Sequence, residues 1–526
     1  MQIKPIHISG ERRWISGSVL VLYAALLITV ITFHEPWFDE AESWLIARDA
    51  SYRDMIFTNP HYEGHPPLWW LLLSIPAKLG VPYEPGLKTV QVIFAVLGAA
   101  LVLFKSPFPL WVRSLLPFTY FLFFQYGVLS RPYSVMFCAL CLAAITWEER
   151  NGRPYRFCLS LCLLCLTSAY GILIAGGIAL PWLFEILKAG TLFRNRKRLG
   201  AMALLLALAL VLLALIWPRA DTFANNPFIP EGTRTNSFLG RLLLFIFCLP
   251  AEMTFTAFST DDLLRLFRPT TMQFVIMAAA SAAIWILTAV LSRSKKTLPY
   301  MILPYGILAL FASWKYFSMH HIGIILFLFL FFAWISYDAD ERIVASKLVE
   351  KAIAAAVLVG FLVSISWTLK SSIIDIQAPY SAGRALASFV ADNHLESSRW
   401  VAVWNLEQDE NGNVLHEDTH IFTGAAVEAN PYLNVSLTRL QADGKSYVDH
   451  CIPSPERMEA EIKNLADSGV DFFIGVPSSK SFRLRLGVEG PLKIAKTISY
   501  DMVWKGKHRY CDVFIVQCSE AANLIG

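Results

Sequence analysis

Between Phe33 and Leu73 the chain reads FHEPWFDEAESWLIARDASYRDMIFTNPHYEGHPPLWWLLL, gathering Asp39, Glu40, Glu42, His61, Glu63 and His65 into one short polar loop. Carboxylates and imidazoles at this density can transfer protons, ligate a divalent cation or cap helices. The capping reading takes Asp39 as N-cap and Glu42 three residues on, a capping box opening a helix over 41–47. That box needs neither Glu40 nor the aromatic fence of Trp37, Phe38 and Trp44. The proton-transfer reading takes Asp39 and Glu40 as catalytic carboxylates. In it the prolines of His65-Pro66-Pro67 aim His65 back toward Asp39, although the same prolines suit an ordinary helix start. Asp39, His61, Glu63 and His65 have the ligand types for zinc or manganese. Their spacing matches no helix or hairpin ligand pattern, so neither a metal nor another cofactor is assigned.

Two cationic turns complement the acidic loop. Arg131, in YGVLSRPY beside Tyr133, is the one charge between Arg113 and Glu148. Lys315, His320 and His321 fall together in SWKYFSMHHIG. Residues of these types at membrane ends anchor to headgroups by snorkelling. They also make a phosphate clamp, with Arg binding phosphate oxygens bidentately and Lys acting as a point charge.

The elements that must position these residues are apolar helices. Of 526 residues 55% are hydrophobic and 16% charged, and mean hydropathy is +0.48, unlike a soluble protein with about a quarter charged. The net charge of +4 sits in short clusters between apolar runs, which excludes the continuous basic face of a nucleic-acid binder. The nine cysteines do not support a zinc ribbon or thioredoxin-type site, since the C-x-x-C spacings at Cys138/Cys141 and Cys162/Cys165 fall inside apolar runs, and Cys158, Cys162 and Cys165 read as small lipid-facing or core residues. A spanning helix takes about 20 mostly apolar residues. Eleven candidates follow: 14–33, 87–104, 109–129, 132–147, 157–170, 171–187, 199–217, 272–291, 298–313, 321–337 and 349–369. The first is an anchor rather than a cleaved signal, because it is long and lacks a small-residue cleavage site. The runs 66–79 and 238–250 are short or interrupted and read as interfacial or re-entrant.

With those two excluded, every Lys/Arg cluster from Lys4, Arg12 and Arg13 to Arg342, Lys347 and Lys351 lands on the cytoplasmic side. The loop 34–86, the Ser130–Arg131 turn, the loop 218–271, the Trp314–His320 turn and everything after Lys370 then lie outside. From about 375 short β-rich runs (WVAVWN, DFFIGV, DVFIVQC) alternate with helical patterns such as SPERMEAEIKNLADSG, which predicts a small α/β domain. The expected organisation is a transmembrane catalytic unit over 1–374, with its catalytic loop at 34–86, and an extracytoplasmic α/β domain over 375–526. Cys451, Cys511 and Cys518 would then face an oxidising compartment.

A carboxylate loop opposite two cationic turns is what transfer from a lipid-phosphate sugar requires. One carboxylate takes the acceptor hydroxyl's proton. The departing phosphate needs positive charge and no general acid. A glycosidase would instead flank one bond with two carboxylates.

WFDEAESWLIA followed by HPPLWWLLL resembles the first outer loop of the GT-C-fold glycosyltransferases. The likeness is to the protein mannosyltransferase and aminoarabinose-transferase type, and within it to the bacterial branch often called RgtA/B/C/D-like. QYGVLSRPYS resembles the second outer loop of that branch. The resemblance implies a polyprenyl- or dolichyl-phosphate sugar donor, Asp39 as base, and inversion. It implies an acceptor in the cell envelope (lipid, glycan or protein) and a multi-pass protein of the bacterial inner membrane. His65, Arg131, Tyr133, Lys315, His320 and His321 are expected around the donor phosphate. No acid follows Arg131, where several relatives carry one, which argues against a metal-assisted step. A glycan ligase or polymerase using a lipid-linked oligosaccharide shares these features. A secondary transporter would need mid-span ionisable residues and repeated halves, and neither is seen.

Overall fold

The computed structural model describes residues 10–222, 236–257, 267–338, 346–402, 424–439, 444–448, 450–451, 454–477, 480–490 and 492–518. Lys4, Arg342, residues 403–405 of the WVAVWN run and parts of the loop 218–271 lie outside them. The protein is a polytopic helical bundle with a small C-terminal α/β domain, as its sequence predicts.

Seven of the expected spans are single helices of sufficient length: Arg13–Phe33, Tyr83–Lys105, Ala169–Lys188, Arg196–Ile216, Thr271–Leu291, Met319–Ser336 and Lys347–Gln377. Three others are shorter helices, Tyr133–Thr146, Pro154–Cys165 and Pro299–Trp314. The run 66–79 forms the helix Leu68–Lys78. At 1.5 Å per residue it reaches only about 16 Å, too short to cross. The run 238–250 is likewise cut into Phe238–Phe247 and Leu249–Glu252.

Local chemistry moved two boundaries. The sequence placed a join at residues 170 and 171, but the helix starts at Ala169 because the Ser168 hydroxyl caps it, accepting the Gly171 N–H at 3.0 Å. The expected span 109–129 is broken at Pro117 and continues as a π-helix, Phe121–Val128. A π-helix leaves carbonyls out of register. Gln91 answers them, donating from Nε2 to Tyr126 O at 2.6 Å and Gly127 O at 3.2 Å. Gly323 allows the closeness of this packing: a Cβ there would fall 2.2 Å from the Tyr126 ring. Cys158, Cys162 and Cys165 are buried in the bundle core.

The C-terminal sheet has the order β1–β2–β4–β3, from β1 (Trp400–Ala402), β2 (Phe472–Ile474), β3 (Lys493–Asp501) and β4 (Tyr510–Gln517). β1 and β2 are parallel, and the other pairs are antiparallel. Side chains alternate between two cores. Trp400, Phe472, Ile474 and Ile515 pack with Leu386 and Val390 of the helix Gly383–Asp392. Val401, Phe473 and Val516 pack with Ile462 and Leu465 of Pro455–Ser468.

The β3–β4 hairpin does not end in solvent. Lys505 (φ 46°) and Gly506 (φ 72°) form its tight turn, closed by Trp504–Lys507 backbone hydrogen bonds of 2.9 and 2.8 Å. Val503 and Trp504 join the core of the bundle. The Lys505 ammonium donates to Glu252 Oε1 at 3.1 Å and to Thr256 O at 2.8 Å, and it also bonds Glu252 O. The rings of Trp367, Trp504 and Phe121 surround it at 4.7–5.5 Å. The α/β domain is thereby plugged into the helical unit.

Candidate active site

The site begins where the first long helix stops. Pro36 and Trp37 hold the chain extended, and the next helix runs over Phe38–Asp49. The sequence placed its capping box at Asp39 and Glu42. The structure places it two residues earlier: Trp37 stands at the N-cap, and the Glu40 carboxylate accepts the Trp37 N–H at 3.1 Å. The reason is that Glu40, third in the helix, reaches back to an otherwise orphaned backbone donor. Asp39, second in the helix, is left free to face outward from the cap.

Glu40 also fixes the partner turn. Its Oε1 accepts the Ser130 N–H at 2.5 Å, tying the end of the π-helix to the start of Phe38–Asp49. Arg131 follows directly, and its Nη1 lies 2.6 Å from Asp39 Oδ2. The guanidinium carbon sits 6.0 Å over the Tyr133 ring. Glu40 itself, expected as a catalytic group, is fully buried; its carboxylate is occupied by Ser130, Trp37 and the His34 Nε2 at 3.0 Å. These partners hold its acid below the usual range in spite of burial.

His65 enters after Gly64, whose φ of 66° ends the helix Asn59–Glu63. Burial, then the Arg131 charge, push its pKa down to about 3, so the ring is neutral. Glu63 is raised, by burial first and by the Asp39 charge, against the pull of His450 and Arg131. His320 and His321 close the cluster from the turn Met319–His321. The His320 ring lies 6.3 Å from Trp37 and 4.0 Å from His321, whose own ring is 6.1 Å from Tyr133. Ser318 Oγ bonds His320 Nδ1 at 2.6 Å, and Tyr126 donates to the His320 carbonyl at 2.6 Å.

Asp39, His65, Arg131, Tyr133, His320 and His321 are thus brought together. The Lys315 ammonium sits 4.6 Å over Trp314, an exposed ring at the end of the helix Pro299–Trp314. His61 is drawn elsewhere, bonding Trp217 O at 2.7 Å. The metal set first considered therefore does not assemble. A different trio does, Glu42, Glu63 and His450, with ligand atoms all within 4.8 Å of one another. Its ligand types suit a divalent cation such as zinc or manganese.

Two further residues escaped sequence reasoning. His34 bridges Glu40 to Asp375, and His450 arrives from the α/β domain at 3.2 Å from Glu63. His34 adjoins a span end, a weak signal; His450 has none, since nothing in its surroundings marks it.

Buried polar atoms at the site that lack a hydrogen-bond partner among the described residues include Trp37 Nε1, His65 Nδ1, Ser130 Oγ and Arg131 Nε. Buried polar groups are nearly always satisfied, so a cluster of orphans next to a partly exposed ion pair marks a place for a polar ligand. Helix ends define its setting. Phe33, Tyr83, Met319 and Gln377 all terminate long helices near the cluster, which therefore lies at one end of the bundle.

No protein-family model matches the chain, and no curated protein matches its sequence. Among solved structures it is similar to ArnT from Cupriavidus metallidurans bound to undecaprenyl phosphate, at 13% identity and a TM-score of 0.48, over 98% of this chain and 99% of that one. The apo state of the same protein gives 13% identity and a TM-score of 0.45, over 98% and 100%. Likeness at this level carries no argument about activity.

Proposed function

We propose that the chain is an inverting glycosyltransferase of the GT-C kind that moves a sugar from a polyprenyl-phosphate donor to a hydroxyl of a cell-envelope acceptor. The observation that carries this reading is the Asp39–Arg131 pair, partly exposed at one membrane end of the bundle and ringed by orphaned donors. An anionic headgroup entering from the lipid meets Arg131 first, because Arg131 is the strongest phosphate ligand in the cluster.

The resting salt bridge gives the order of events. Donor phosphate competes for the Arg131 fork and frees the Asp39 carboxylate. Asp39 then accepts the acceptor hydroxyl's proton as its oxygen attacks the anomeric carbon. The anomeric carbon–oxygen bond breaks, its electron pair goes to the phosphate, and polyprenyl phosphate leaves against Arg131. A single displacement inverts the anomeric centre. Neutral His65 can donate or accept a hydrogen bond to the sugar or phosphate without bringing further charge. Glu40, buried and occupied, orients rather than reacts.

In this reading residues 1–374 form the catalytic unit of a bacterial inner-membrane protein. Residues 34–86 and the α/β domain, 375–526, lie on the outer face. The basic connections 194–198 and 293–296 then lie in the cytoplasm. A reporter fused after Lys296 should therefore be cytoplasmic, and one fused after Cys518 external.

The direct test uses the purified protein in nanodiscs with a panel of undecaprenyl-phosphate sugars, following release of undecaprenyl phosphate. Turnover should appear with at least one sugar and vanish in Asp39→Asn. Parent-like turnover in that variant would remove Asp39 as the base.

A further inference from the structure

The frame of the Asp39–Arg131 pair converges on one side chain that the proposed chemistry does not touch. His34 lies one residue beyond the first long helix and is fully buried. Its Nδ1 is 3.0 and 3.1 Å from the two Asp375 oxygens, and its Nε2 is 3.0 Å from Glu40 Oε2. Ionised carboxylates only accept, so an imidazole facing one on each side donates from both nitrogens. Burial alone would strip the extra proton; Asp375, then Glu40, outweigh it and hold His34 at about 10. The remaining neighbours are Lys88, donating to the His34 carbonyl at 2.7 Å, and the Tyr380 ring at 4.9 Å.

Glu40 carries the arrangement forward. One of its oxygens holds the Ser130 N–H next to Arg131, and the other holds the Trp37 N–H two residues before Asp39. A shift of Glu40 therefore moves both halves of the reactive pair. Asp375 stands in the last turn of the helix Lys347–Gln377, so the other end of the bridge is the element leading into the α/β domain. A buried charged triad is a poor device for stability, because desolvating three ions offsets their attraction. It is a good device for fixing geometry, since both hydrogen bonds are charge-assisted and directional.

We propose that His34 is a positioning residue of the transfer site, a cationic bridge between Asp375 and Glu40 that sets where Arg131 and Asp39 stand relative to each other. The inference rests on the function proposed above, and its test separates the two.

The first variant is the double substitution His34→Gln with Asp375→Asn. It removes the cation together with one of its anions, so the buried net charge is unchanged and the fold should survive. Its kcat with an undecaprenyl-phosphate sugar should fall about 100-fold, as expected for a displacement near 1 Å, while KM changes little. The second variant, Glu40→Gln, keeps a carbonyl for Ser130 or Trp37 but loses the charge facing His34. It should show the same split between kcat and KM, and it decides the matter if the double variant does not fold. Parent-like kcat in whichever of the two folds overturns the bridge. Absence of turnover in the parent with every sugar sinks the proposed function alone. The bridge is then judged by cryo-electron microscopy of the variants. A displaced Ser130 turn with Arg131 parted from Asp39 upholds it, and an unmoved pair overturns it.

Discussion

Asp39–Arg131 and Glu252–Lys505 each pair a carboxylate with a cation from a distant segment, yet their surroundings are opposite. In the first, the side chains are 24% and 13% exposed, and orphaned donors lie beside them. In the second both are 0% exposed, and the ammonium is shared among Glu252, a second carbonyl and three aromatic rings. A pair that is closed and satisfied can only hold parts together. A pair left open to solvent, with unmet hydrogen-bond capacity around it, can exchange one partner for a ligand.

That contrast is breakable by substitution, and the largest effect should be at Asp39. Asp39→Asn is expected to lower kcat about 10²–10⁴-fold, the range of a lost general base. Stability should drop by no more than about 2 kcal/mol, because what is lost is a first-turn helix-dipole interaction and the partly exposed ion pair to Arg131. The reverse pattern should appear at the plug. Lys505→Met leaves Glu252 buried without its cation and should cost about 3–5 kcal/mol in unfolding free energy. Adding Glu252→Gln should recover much of that loss. If Lys505→Met instead impairs turnover at unchanged stability, the plug belongs to the chemistry and the contrast fails.

Arg131→Ala should weaken undecaprenyl-phosphate binding by about 1.5–3 kcal/mol, the range for a hydrogen bond to a charged group. Arg131→Lys should not restore it fully, for an ammonium cannot offer the two-pronged donor. Equal binding by parent and Ala variant, measured by titration in nanodiscs, would place the phosphate elsewhere.

The smallest effect is a pH dependence. His34 is raised from 6.5 to about 10 in the folded protein, so its contribution is complete below pH 6.5 and is lost as pH climbs through 10. Glu428, raised by burial from 4.5 to about 8, also erodes stability with rising pH, but only up to that value. Between pH 8 and 10 the melting temperature of the parent should therefore fall more steeply than that of the His34→Gln/Asp375→Asn variant. Parallel curves would mean that His34 is not charged in the fold.

Much of the bundle was legible because its signal is local: a run of apolar residues is a helix wherever it packs. The clustering of Asp39 with Arg131, His65 and His320 was legible in part, because each is a polar residue stranded at the end of an apolar run. The capping box was misplaced by two positions, since D-E-A-E offers two overlapping boxes and only the Ser130 N–H, 90 residues away, selects Glu40. Lys315 was grouped with His320 on sequence proximity, which says nothing of direction; its ammonium lies over Trp314. The plug was invisible. Nothing in the sequence around Val503, Trp504 and Lys505 marks them as core, and the acid that Lys505 meets lies 253 positions earlier. A consequence is that removing 375–526 would strip core residues from the bundle, so such a truncation cannot isolate a donor-binding unit.

The plug also bears on when the protein becomes complete. Chains are made from the N-terminus, and helices assemble as they emerge. Glu252 is in place about half a chain length before Lys505 is synthesised, so for that interval its carboxylate lacks the Lys505 ammonium and the missing Trp504 leaves a gap among Phe121, Tyr120 and Trp367. The last hairpin thus acts as a checkpoint: a chain stalled before residue 500 has nearly all its membrane helices and an unsealed core. Such stalled chains should be cleared by membrane proteases faster than full-length chains, and a Glu252→Gln background should slow that clearance.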